Sequence, residues 1–210
     1  MEINISMPNK DTDLFKMVEG GYHIACIHQL DFETYCIGYL DACKLILNDM
    51  GKNRQFISDT LVFPIVYLFR HYLELRLKKI IIIGKKNSNK RVNVIKYKHN
   101  LENLWKEAKE CIKTYWPSSC NSELNIIKNN ILEFHNKFDQ FASAFRYPVD
   151  NRGNKSFKKN VHIDLKQFKK SMEEISNFLD GCSEGMLEEK EITLEMKREF
   201  ANELIDDFIA

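Results

Sequence analysis

Residues 61–84 read LVFPIVYLFRHYLELRLKKIIIIG, and the fold turns on how this stretch is interpreted. It is apolar on nearly every side, which predicts a helix covered by neighbours all round rather than along one stripe. Yet it carries Arg70, His71, Glu74 and Lys78 near its middle. Arg70, Glu74 and Lys78 are spaced by four, so they stack on one helical face with alternating sign. Charges on a covered helix are costly unless paired, so the row demands partners. A membrane-spanning reading of 61–83 fails on six charged or titratable side chains between 70 and 79.

The flanking sequence supplies covering helices. In 22–50, Phe32, Cys36, Tyr39, Cys43 and Ile46 recur at three- and four-residue spacing, and Gly51 stands where a terminal glycine belongs. The central helix is expected over 56–83, stopped by Gly84; Pro64 means that it either begins near Val62 or is kinked there. After a basic loop, 100–115 places Leu101, Leu104, Trp105, Ala108, Ile112 and Tyr115 on one face and ends at Trp116–Pro117. Ser122 is a candidate N-cap for a fourth helix. Its series Leu124, Ile127, Ile131, Phe134, Phe138, Phe141, Phe145 must end before Pro148. A fifth helix is expected over 165–179, capped by Gly181. A last one, over 194–208, sets Met196, Phe200, Leu204 and Phe208 opposite an acidic face.

No stretch alternates as a strand would. The expected fold is all-α: an antiparallel helical bundle of four to five long helices, joined by short connections, with a C-terminal amphipathic helix. It divides into an N-terminal segment, 1–21, the bundle, 22–181, and an acidic C-terminal helix, 182–210.

Hydrophobic residues make up 44% of the chain and charged residues 29%, which argues for a packed domain over disorder. The net charge of +1 is unevenly spread. Nine basic residues and no acid lie in 76–98, and seven basic residues accompany Asp164 in 152–170. Residues 184–210 hold nine acids against Lys190, Lys197 and Arg198. Two basic segments suit a polyanion. Six cysteines without a CxxC pair suggest reduced core thiols, and 1–13 has no secretory pattern, so a soluble cytoplasmic protein with no membrane contact is expected.

The histidines at 23, 28, 71, 99, 135 and 162 form no HxxxH or HExxH pattern, and glycines form neither GxGxxG nor GxxxxGK. GxSxG is also absent. No metal and no cofactor are therefore expected, and His135 with Asp139 reads as a local hydrogen bond. Three polar clusters remain: Arg70, His71, Glu74 and Lys78; His99-Asn100-Leu101 at a helix start; and Asp139, Ser143, Arg146, Tyr147 and Asp150 around FRYPVD. Each has a structural reading as an ion pair or cap, such as Glu74 with Arg146 across packed helices.

In this order the clusters YLFRHYLELRLKKIIIIG, KHNLENLW and FRYPVD resemble the HEPN superfamily of small helical bundles over 22–179. The matching positions are Glu74 and Lys78; His99 with Leu101; and Arg146-Tyr147-Pro148 followed by Asp150. The resemblance implies a homodimer working with RNA or a nucleotide, in toxin–antitoxin or antiphage defence settings. Many HEPN proteins are metal-independent ribonucleases that carry an arginine followed by a nearby histidine. No arginine here has a histidine four to six residues on: seven residues separate Arg91 from His99, nine separate Arg152 from His162, and Arg70 adjoins His71. The chain therefore resembles the non-nuclease, nucleotide-binding branch.

The expected ligand-binding residues are Arg70, His71, Glu74, Lys78, His99, Arg146, Tyr147 and Asp150. The alternatives are a divergent ribonuclease, with His71 or His99 as acid or base and Arg70 or Arg146 on the phosphate, and a non-catalytic protein partner recognised through the C-terminal helix. His71 is expected to face His99.

Overall fold

In a computed structural model of the chain, the structure describes residues 8, 12–15, 20, 24–27, 31–50, 58–87, 92–117, 121–134, 136 and 143–209, with side chains of the last helix described to Glu199. Five helices form the bundle: α1 (Phe32–Met50), α2 (Ser58–Asn87), α3 (Leu101–Tyr115), α4 (Asn121–Glu133) and α5 (Leu165–Ile209). Among the described residues there is no named strand. Nor is any helix long and apolar enough to cross a membrane.

The all-α bundle is as expected, and α2 is its axis. Ile65, Val66, Phe69, Leu73, Leu77, Ile80 and Ile81 fill roughly half of its circumference and are almost fully buried, whereas Tyr67, Leu68, His71, Leu75 and Ile82 on the opposite side are only partly covered, so the helix is not enclosed all round as its composition suggested. The covering surfaces come from α1, α3 and α5. Each such side chain contributes about 1.5–3 kcal/mol by leaving water, which explains why a helix with charges in its middle still sits at the centre.

Cross-helix pairs fix the directions. Glu33 meets Arg76 while Cys43 meets Ile65, so α1 runs antiparallel to α2. Along α5, Phe168 packs on Phe69 and Asp180 meets Arg76, so α5 runs with α2. On α3, the chain at His99 meets Glu74 while Glu107 meets Lys85, so α3 also runs with α2. Short connections had suggested antiparallel neighbours throughout. The start of α3 instead lies back beside Glu74, more than three turns before the end of α2, so the two helices run in the same direction.

Boundaries differ from the sequence expectation in four places. Helix α1 starts at Phe32 rather than near 22, because the Asp31 carboxylate accepts the Thr34 amide at 3.1 Å and caps it. Helix α2 begins at Ser58, before Pro64, and runs through Gly84 to Asn87. Gly84 is a contact residue: a Cβ there would lie 2.6 Å from Cys111 Cβ, so only glycine lets α2 and α3 approach so closely.

Helix α4 starts at Asn121, with Ser122 inside its first turn, and ends at Glu133. Phe138, Phe141, His135 and Asp139 lie outside the described residues, and Phe145 sits in a turn ahead of Pro148 rather than on a continuing helix. The fifth and sixth expected helices are one 45-residue helix, so the 181/182 boundary falls inside α5. Gly181 does not end it, since Leu179, Cys182 and Met186 on the same helix are buried and hold the turn together. Gly185 lies against Trp116, where a Cβ would come within 3.1 Å of the ring.

Candidate functional site

The charged row on α2 is real and closed upon itself. Arg70 Nη1 donates to Glu74 Oε2 at 3.2 Å, and Lys78 Nζ donates to Glu74 Oε1 at 2.7 Å. The third partner comes from the start of α3: His99 Nδ1 lies 3.0 Å from both Glu74 oxygens. Arg70 Nη2 completes the circuit by donating to the His99 carbonyl at 2.6 Å. Arg70 and Glu74 are each 1% exposed, whereas the His99 side chain is 59% exposed. A buried ion pair thus anchors a surface imidazole.

Local structure explains how His99 is delivered. Asn100 caps α3, its side chain accepting the Asn103 amide at 2.9 Å, which fixes His99 just outside the helix. Lys98, immediately before, has φ +47°, the one positive value for a non-glycine among the described residues. Such a conformation costs about 1–3 kcal/mol and persists only where surrounding contacts impose it. Here the Arg70 bond to the His99 carbonyl and the Asn100 cap do so.

Burial works against ionising Glu74, but hydrogen bonds from Lys78 and His99 with their charges outweigh it, and its pKa falls below the usual carboxylate value. An ionised Glu74 can only accept, so His99 Nδ1 must carry the proton facing it. That leaves Nε2, which has no hydrogen-bond partner among the described residues, on a side chain that is mostly exposed: a base when the ring is neutral and a donor when it is charged.

His71 serves differently. Its ring meets Tyr39 edge-on at 4.4 Å and stacks on Tyr67 at 5.9 Å with 7° between planes. Burial lowers its pKa, the nearby Glu74 charge opposing this, so the ring is held neutral. Beyond Tyr67, the Arg146 guanidinium carbon lies 5.5 Å from the Tyr67 ring centre and 5.3 Å from that of Tyr147. A row of aromatic and cationic groups, Tyr39, His71, Tyr67, Arg146 and Tyr147, therefore runs beside the Glu74–His99 pair.

The structure brings together Arg70, Glu74, Lys78 and His99 directly, with His71, Arg146 and Tyr147 alongside. Glu74 pairs with Arg70, Lys78 and His99 and not with Arg146, because α3 returns alongside α2 and reaches the carboxylate first. His71 and His99 share no hydrogen bond: the His71 ring packs on Tyr39 and Tyr67, with the charges of Glu74, Lys78, Arg70 and His99 close enough to act on it. Lys78 finds its acid on its own helix. Asp150 shapes its own loop, accepting the amides of Arg152 at 2.8 Å and Asn154 at 2.9 Å.

Three contributors were missed from sequence: Tyr39 and Tyr67, hidden in an apolar helical pattern, and Lys98, whose backbone angle leaves no signature. Tyr67 sits four residues before His71, and that spacing was the available signal. A second polar network was also missed. Arg76 forms a two-pronged pair with Glu33 at 2.6 and 2.9 Å, Lys79 joins Glu33, and Arg76 Nε lies 2.8 Å from Asp180 without hydrogen-bond alignment. Tyr72 donates to Asp180 at 2.5 Å.

Fold and site together define an all-α bundle whose central helix holds a surface imidazole through a buried carboxylate. Comparison with family models, curated proteins and solved structures finds no match to this chain.

Proposed function

We propose that the chain binds a phosphate-bearing ligand, a nucleotide or RNA, on the face formed by His99, Lys78, His71, Tyr67 and Arg146. The observation that carries this is the His99 Nε2, exposed and oriented by Glu74 beside two further cationic side chains and a stacked aromatic row. Imidazolium and guanidinium donors suit phosphate oxygens. The tyrosine and histidine faces suit a base or sugar, since stacking on an aromatic surface tolerates any base. This agrees with the resemblance of the three motifs to HEPN bundles, and on the same ground we place the protein in the cytoplasm, in a bacterial defence or toxin–antitoxin setting.

The test is a thermal-shift and fluorescence-anisotropy panel with ATP, GTP and a short single-stranded RNA. Stabilisation by at least one of them, lost in His99→Ala and weakened in Arg146→Ala, supports the reading; no response to any probe removes it. A second reading, a metal-independent ribonuclease, is favoured by the Glu74–His99 pairing itself, because a carboxylate-oriented imidazole is suited to proton transfer. Cleavage of single-stranded RNA in EDTA, abolished by His99→Ala, is its signature. Intact RNA after prolonged incubation with the wild-type chain eliminates it.

A further inference from the structure

Among the described residues, none covers the distal part of α5. Burial along this helix stops at Met186, and every side chain from Leu187 to Glu199 is exposed. The helix itself continues to Ile209. Glu184, Glu188, Glu191, Glu195 and Glu199 recur at spacings of four and three, which stacks five carboxylates on one face. Ile192 and Met196, 55% and 64% exposed, flank that acidic row. An amphipathic arm without a counter-surface is marginal by itself, because tertiary packing normally supplies most of a helix's stability.

A surface of opposite character lies at the other end of the molecule. The first turns of α2 and the loop before α5 enclose a cavity of about 670 Å³. Phe63, Phe145 and Phe157 form its apolar wall, their ring centres 5.2–6.5 Å apart. Lys155, Lys158 and Lys159 line its rim, and Asp59 is the one acid among its described lining residues. Apolar groups beside a row of one charge thus face apolar groups beside a row of the opposite charge.

The two surfaces cannot meet within one chain. Leu165, the first residue of α5, lines this cavity. At 1.5 Å per residue, Glu188 and Glu199 stand about 35 and about 51 Å further along the same unbroken helix. Pairing of two arms with each other is disfavoured by their like-charged faces. We infer that the arm of α5 docks in trans on the lysine-rimmed cavity of a second copy, with Ile192 and Met196 on the phenylalanine wall and the glutamate row against Lys155, Lys158 and Lys159. A two-fold arrangement makes the exchange reciprocal, so every contact occurs twice.

A charge-swap experiment on the full chain, read by sedimentation velocity up to about 100 μM, tests this. One variant carries Lys155→Glu, Lys158→Glu and Lys159→Glu. The other carries Glu188→Lys, Glu191→Lys and Glu195→Lys. The wild type is expected to dimerise, and each variant alone to be monomeric with unchanged helical circular dichroism. Their equimolar mixture is expected to form a one-to-one dimer, since each arm then meets a cavity of opposite sign; a misfolded variant would not be rescued this way. A monomeric wild type, a variant that stays dimeric alone, or a mixture that stays monomeric overturns the proposal. So does a lysine variant that remains dimeric and loses only RNA binding, which assigns the loop to nucleic acid instead.

Discussion

Two ionic networks on helix α2 overlap along its axis, their centres Glu74 and Arg76 only two residues apart, yet lie on different faces. In the first, Arg70, Lys78 and His99 converge on Glu74, and the network ends at the surface on the His99 ring, whose Nε2 has no partner among the described residues. In the second, Arg76 is enclosed by Glu33 and Asp180, with Lys79 and Tyr72 completing the coordination. Both bury a guanidinium almost completely. They differ in what lies at the outer end. The second network finishes on carboxylates whose charge is already met by Arg76 and Lys79, so it ties α1 and α5 to α2. The first finishes on a titratable ring with one face of its chemistry unused. Burial of charge is common to both; an unsatisfied terminus is what marks a candidate site.

The largest stability effect is expected at the closed network. Arg76→Met keeps the apolar stem but leaves Glu33 and Asp180 without their shared cation, and removing one partner of a buried pair costs about 3–5 kcal/mol. Urea denaturation should place this variant near the lower end of that range, because Glu33 keeps Lys79 and Asp180 keeps Tyr72. A loss below about 1 kcal/mol would erase the distinction between the networks.

Glu74→Ala should cost about 3 kcal/mol, since Arg70 then keeps the His99 carbonyl but loses its carboxylate. Acid should act on both networks with the same sign. The Arg76 hydrogen bond, against the cost of burial, holds the Glu33 carboxyl down to about 2, whereas its unfolded value is 4.5. The unfolded state then binds more protons in between, so this contribution is whole above pH 4.5 and drains away as pH falls towards 2. Glu74, also lowered, follows the same direction. Asp180, raised by burial, runs the opposite way and offsets part of the loss. Urea midpoints measured from pH 7 to pH 3 should fall, and the fall should be shallower in Arg76→Met. An equal slope in that variant would remove the Glu33 assignment.

Sequence made the first network legible because its members are regularly spaced on one helix. Arg70, Glu74 and Lys78 repeat every four residues, and His99-Asn100-Leu101 announces a capped helix. The second was invisible because Glu33 and Asp180 are 147 residues apart and meet only through the packing of α1 and α5 on α2. Glycine was misread for a related reason. At Gly84 and Gly181 the local rule predicts a helix end, but tertiary contacts decide: one faces Cys111 and the other lies between buried turns of α5. Gly84→Ala should therefore cost about 1–3 kcal/mol through overpacking, although alanine is the better helix former. Unchanged stability by thermal unfolding would mean that α3 yields at Cys111.

The smallest stability effect is expected at the residue on which the proposed ligand site turns. His99 is mostly exposed, and the carbonyl that Arg70 uses belongs to its backbone, which survives truncation. His99→Ala removes one of three groups around Glu74, leaving Arg70 and Lys78 in place, so unfolding free energy should move by only about 0.5–1 kcal/mol. Ligand response should behave oppositely. Loss of a charge-assisted contact to phosphate is worth about 1.5–3 kcal/mol, which is roughly 10- to 150-fold in affinity. His99→Gln sharpens the comparison, since its amide can still donate to Glu74 but has no ring to present as acid or base. If His99→Gln binds RNA or nucleotide as the wild type does yet loses cleavage, the site works by proton transfer. If neither variant alters binding while both lower stability as far as Arg76→Met does, His99 closes its network just as Asp180 closes the other, and the two faces of α2 are equivalent.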